Sequence, residues 1–281
     1  MASKSRMLFA FVTVLSLAGI KSAVAQVTSQ LPANDLVKAV IRHELAPASN
    51  REIRWKYVLA KQSDGKQEIR QVVETRSGSL DRLISVQGRP LSDGQKRVES
   101  DRILRISHDA AEQGRMEQAR RKDAEQCNAF LTMIPDAFLF DYAGQSGTLT
   151  KLTFKPNPQF RASTREGKVL REMQGEIWVD ARQQRLAVIR GQLMNDVRFG
   201  GGLLGHLLKG GQFNVRREEI AAGDWEMTEM QVDMHGKALL FKAISVQQKE
   251  THSNFQRVPD DLDLAQAAGI LLNETTVAAK R

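Results

Sequence analysis

The residues that could do chemistry in this 281-residue chain begin with five histidines, His43, His108, His206, His235 and His252. A metal centre wants imidazoles or thiolates at short fixed spacing. No His-x-His, His-x-x-x-His or cysteine pair occurs here. Nucleophilic hydrolysis would want a Gly-x-Ser-x-Gly turn or a close carboxylate pair, and neither pattern stands out. Cys127 is the only cysteine and has no histidine or cationic cluster beside it, so it is read as a buried structural thiol. These observations predict no catalytic residue, no metal ligand and no cofactor.

One segment matches a binding motif literally. Gly200-Gly201-Gly202-Leu203-Leu204-Gly205 satisfies Gly-x-Gly-x-x-Gly. A dinucleotide fingerprint must lie between a strand and a long helix. Here only residues 203–209 could be helical before Gly210-Gly211, so the fingerprint reading is rejected. Two readings stay open. One is a permissive connection with positive-φ glycines; the other is an apolar loop, carrying Phe199, Leu203, Leu204, Leu207 and Leu208, that folds over a cavity mouth.

The elements that would position such a cavity are mostly strands. Asn34 or Asp35 can cap a helix over 36–45, ended by Pro47. Strands at 53–61 and 68–75 flank an Asp64-Gly65 hairpin turn, and a third strand spans 80–86. Asp93-Gly94 reads as a further turn. Residues 95–134 are helical by composition, polar over 108–126, with Ala119, Ala124, Cys127, Phe130 and Leu131 facing the core.

After Pro135 strands are expected at 138–142, 148–155, 175–180, 185–199, 211–220, 225–234 and 238–247. Met230, Val232 and Met234 alternate with Glu229, Gln231 and Asp233, as a sheet with one wet face requires. His235-Gly236 reads as a tight turn. A last helix spans 261–272. Short antiparallel links predict an α+β fold, mainly antiparallel β, as one domain over 26–281.

Composition bounds the setting. Lys4 and Arg6 precede an apolar run over 7–20, and Ala23-Val24-Ala25 offers a cleavage site, so residues 1–25 read as a secretory signal peptide. The run is shorter than the roughly 20 residues a membrane span needs. Cleavage near Ala25 would leave 256 residues without a transmembrane span. Their 38 basic residues against 33 acidic ones give a mild +5. An exported chain with one cysteine holds itself together by packing, and nucleic acid is not an expected partner.

A strand ending in aspartate, Gly175-Glu176-Ile177-Trp178-Val179-Asp180, is followed by Arg185-Leu186-Ala187-Val188-Ile189-Arg190-Gly191. This pair resembles the outer-membrane lipoprotein-sorting proteins of the periplasmic lipoprotein-carrier (LolA-like) superfamily. The order of elements agrees over most of the mature chain. The resemblance implies a bacterial periplasmic protein whose sheet curls into an unclosed half-barrel around a hydrophobic cavity, covered by inserted helices.

Physical reasoning points the same way, because many apolar strands with few helices leave a large inner face to cover. The residues expected to line a cavity there are Trp178, Phe199, Leu203, Leu204, Leu207, Met230, Val232, Met234 and Phe241. The methionines would give it an adaptable wall, or would serve as plain core. The function expected first is non-enzymatic binding of a lipid or acylated ligand. An interaction or sensor module for another envelope protein, and a hydrolase assembled from distant residues, are the alternatives.

Overall fold

The computed structural model describes residues 31–46, 53–200, 205–238 and 242–273. The expected leader and the candidates Leu203, Leu204 and Phe241 lie outside them. In chain order the elements are α1 (Ala33–Leu45), β1 (Arg54–Ser63), β2 (Lys66–Thr75), β3 (Gly78–Val86), β4 (Arg89–Pro90), α2 (Asp93–His108), α3 (Ala110–Ala137), β5 (Phe138–Ser146) and β6 (Leu149–Pro156). Then follow α4 (Arg165–Leu170), β7 (Met173–Asp180), β8 (Arg185–Leu193), β9 (Val197–Phe199), β10 (Gly205–Leu207), β11 (Gln212–Ala221), β12 (Asp224–Ala238), β13 (Lys242–Val258) and α5 (Leu264–Asn273).

The strands form one 13-stranded sheet in the order β4-β3-β2-β1-β13-β12-β11-β8-β7-β6-β5, with β10 pairing β12 and β9. Every pairing is antiparallel. With β4 and β5 at its two edges the sheet stays unclosed, so the expected mainly antiparallel half-barrel with helices is the observed fold. The β1–β2 hairpin turns at Asp64 and Gly65, with φ of 50° and 77°, the left-handed pair that a two-residue hairpin prefers.

Several local expectations are overturned. Asp93-Gly94 is the first turn of α2, because Ser92 and Gln95 form a reciprocal capping box. The helical stretch is two helices, since the Asp109 carboxylate accepts from the backbone N–H groups of Ala111 and Glu112 and starts α3 anew. α3 then runs through Pro135 to Ala137. Asn34 caps no helix. It lies inside α1 and hydrogen-bonds the Phe138 carbonyl and the Phe140 N–H of edge strand β5, at 3.0 and 3.1 Å.

Residues 185–199 form two strands, interrupted at Met194, Asn195 and Asp196. Gly205–Leu207 is strand rather than helix. His235 and Gly236 make no turn. Gly236 pairs with Leu207 on one side and Ile244 on the other, and a Cβ there would lie 2.3 Å from the His206 carbonyl oxygen. The glycine serves a close approach of strands. β13 continues well past Gln247, through a bulge where Asn254 takes φ 57°.

Register fixes the faces, because directly paired residues share one. Ile177 pairs with Ile189, Ile189 with Val215, Val215 with Met230, Met230 with Glu250, Glu250 with Lys61, and Lys61 with Glu68. On this inner face Leu36, Val37, Val40 and Ile41 of α1, Ile134 of α3 and Leu170 of α4 pack over β5–β8. The Phe138 and Phe154 rings lie 4.5 Å apart in that core.

A second core gathers Ile103 and Ile106 of α2 and Leu264, Ala267, Ala268 and Leu271 of α5 around Val73 and Leu80. Val73 neighbours inner-facing Val72, so this core lies on the opposite face. The six steps from β7 to β2, at roughly 20–25° of twist each, turn the sheet through roughly 120–150°. That rotation brings opposite faces toward one side, where a single helix can reach both. α3 does so: Met116 packs on the second core and Phe130, Leu131 and Met133 on the first. Between them residues 118–129 are exposed all round. Ala119, Ala124 and Cys127 are therefore exposed, contrary to the core-facing expectation, because the bridging stretch has no layer beneath it.

Candidate functional site

Two helical layers lie over the two ends of the sheet and cover its middle strands less fully. The most extensive helix contacts fall on β2, β3, β5, β8 and β9, and β11 and β12 meet the first core through the half-buried Phe213, Val215 and Met234. Beside that core the inner face carries half-buried Phe213 and Val215 on β11 and half-buried Met230, Val232 and Met234 on β12. The cross-strand pairs Phe213–Val232 and Val215–Met230 make one apolar surface.

The structure thus brings three expected cavity residues together, Met230, Val232 and Met234. Phe199 and Leu207, on β9 and β10, join Met234 as half-buried residues packed against the first core. Trp178 does not belong with them. It sits on the outer face with Leu149, Ala187, Val188 and Trp225, and the Lys151 ammonium stands 5.2 Å from its ring centre.

Further along the same strands the inner face becomes charged. Arg217 follows Val215 on β11, and Glu226 lies on β12 beyond a bulge between the Arg216–Glu229 and Arg217–Met227 pairs. Both line a cavity of about 750 Å³, with Glu44, Glu74, Arg120 and Arg185 also in its wall. Among these residues Glu44, near the end of α1, has a side chain only 7% exposed. Glu44 accepts from the Leu186 backbone N–H at 2.8 Å and from Arg217 at 2.6 Å, and Arg185 stands 3.4 Å away. Arg217 also donates to the Trp225 carbonyl at 2.7 Å.

Burial, and then the neighbouring Glu74 carboxylate, push the Glu226 carboxyl up to about 7. Burial likewise raises the Tyr57 hydroxyl, helped by Glu74. Its ring stacks on His252 at 4.9 Å. The Glu250 carboxyl moves the other way, held down to about 2 by His252 and Lys61 against its burial.

Reading the sequence for motifs missed Glu44, Arg217 and Glu226, which belong to no spaced pattern and meet only through the fold. A faint signal existed in the Arg185-Leu186 pair, whose guanidinium and backbone both engage Glu44. The aspartate before it, Asp180, makes the β7–β8 turn by accepting from the N–H groups of Arg182 and Gln183.

Among the described residues, no cluster of histidine, cysteine and carboxylate groups could hold a metal, and no helix is long and apolar enough to cross a membrane. No family model and no curated protein matches the sequence. Among solved structures the chain is similar to a DUF1329 family protein from Desulfovibrio piger, with 10% identity and a TM-score of 0.25 over 85% of this chain and 99% of that one.

Proposed function

We propose that this chain is an exported, non-enzymatic binding protein for an amphiphile, a lipid or an acylated molecule, in a bacterial periplasm. One observation carries the reading. The inner face of β11 and β12 passes from Phe213, Val215, Met230, Val232 and Met234 to a β-bulge, beyond which Arg217 and Glu226 line a cavity of about 750 Å³. An acyl chain lies on the apolar stretch and its polar head enters the charged end. Methionine side chains suit chains of differing length, because the unbranched thioether adapts its shape.

The address rests on the residue pattern at 1–25, and the lipoprotein-carrier likeness on residues 175–191. The unclosed sheet with helices at its ends supports the likeness. The test is titration of the purified chain with a long-chain fluorescent fatty acid. Saturable binding is expected, weakened about tenfold or more in Val232→Asp, which sets a charge against the tail. Arg217→Met tests the head end. A thermal midpoint near the native one checks that each variant is folded. Absence of saturable binding, or equal affinity in both folded variants, contradicts the reading.

A further inference from the structure

The outer face of the same strands carries a second cavity, of about 730 Å³, whose lining shares only Phe213 with the amphiphile track. Its walls are two straight rows of polar side chains running across the strands. One row follows the pairs Gln174 on β7, Gln192 on β8, Gln212 on β11 and Asp233 on β12, and Lys155 of β6 lines the same cavity. The other runs from Thr153 through Glu176, Arg190 and Asn214 to Gln231. Between them lies the row Phe154, Gly175, Gly191 and Phe213. Successive members of a row stand about 4.8 Å apart, and the rows about 7 Å apart, as strand geometry dictates.

Two features define what such a groove recognises. The first is charge cancellation. Glu176 is paired with Lys151 at 2.6 Å and Arg190 at 2.5 Å, Lys155 faces Asp141 at 3.6 Å, and the Asp233 carboxylate offsets the second cation on Glu176. The formal charges of these groups sum to zero. The second is the five amides of Gln174, Gln192, Gln212, Asn214 and Gln231. None of them makes a side-chain hydrogen bond within the described residues. A primary amide offers donors and an acceptor at one tip, and a hydroxyl does the same. A ligand dense in hydroxyls and free of charge satisfies both features at once.

We infer that this outer groove is a binding site for a neutral oligosaccharide, laid across β6, β7, β8, β11 and β12. Its sugar units follow the amide rows, whose step is close to the length of one pyranose ring. The inference is independent of the amphiphile track, since the two surfaces lie on opposite faces of the sheet.

The test is calorimetric titration of the full chain with three neutral tetrasaccharides, from chitin, cellulose and starch. Saturable binding of at least one is expected. The double variant Gln192→Ala, Gln212→Ala should weaken it about tenfold or more, through the loss of two hydrogen bonds. Both residues are exposed, so the variant should keep its thermal midpoint and its fatty-acid binding. Binding by the chitin arm alone assigns an N-acetylated glycan, and binding by the others a plain one. No binding in any arm overturns the inference, as does binding that the double variant leaves intact. A concentration-dependent dimer that the same variant abolishes also overturns it, because the groove is then a contact between copies.

Discussion

Glu44 joins three parts of the chain through one carboxylate, tying the end of α1 to Leu186 on β8 and to Arg217 on β11. Removing its charge while keeping its shape strands two guanidinium groups that are about a quarter exposed, at 22% and 24%. Glu44→Gln should therefore cost about 2 kcal/mol in urea unfolding, less than a fully buried pair because water reaches the arginines. A loss near zero would show that the cavity does not depend on it.

Glu226 and Glu250 give stability opposite dependences on pH. Glu226 holds its proton in the folded chain up to about 7, whereas an ordinary carboxyl ionises near 4.5. Between those values the folded state binds more protons, so its contribution to stability falls as pH rises. Glu250 is depressed to about 2, so its contribution is complete above 4.5 and lost as pH falls toward 2. Glu226→Gln should flatten the decline in urea midpoint between about pH 4.5 and pH 7. Parallel pH profiles for the variant and the native chain would contradict this assignment.

At the scale of elements, the clearest departure from expectation is α3. Its ends are anchored and its middle is bare, so Cys127 should react fully with a thiol reagent in the native state at the rate of a small free thiol. Protection until unfolding would show that the bridge is covered. On β12, Gly236→Ala places a methyl 2.3 Å from the His206 carbonyl, and the forced shift should cost about 1–3 kcal/mol and loosen β10. What was legible in the sequence was local. The Asp64-Gly65 hairpin and the alternation over 229–234 carry their signals within a few residues. The extension of β13 through Gln248, Glu250, His252 and Asn254 carries no apolar alternation. Its strand character comes from β1 and β12 on either side. Cys127 was misplaced for a related reason, since nothing local reveals that a helix spans a gap.

At the scale of the molecule, the mainly antiparallel open sheet follows from the density of short apolar runs and turns, and the sequence reading anticipated it. The sidedness of the site did not follow. Met230, Val232 and Met234 could be assigned to one face, but their joining to Phe213 and Val215 needs the β11–β12 register. The charged end needs Glu44 from a helix far upstream. Trp178 was expected in the same cavity and lies on the other face, because its strand is five places from β1 in a sheet whose sides are defined only by counting pairs.

Native mass spectrometry of the chain, released from cells without detergent, tests the amphiphile track most directly. The expected spectrum shows the protein carrying an added mass that organic extraction removes and that contains an acyl chain. The Val232→Asp form should lose most of that species while keeping its fold. A native chain that appears at its bare mass, and stays so after incubation with lipid vesicles, would contradict the account.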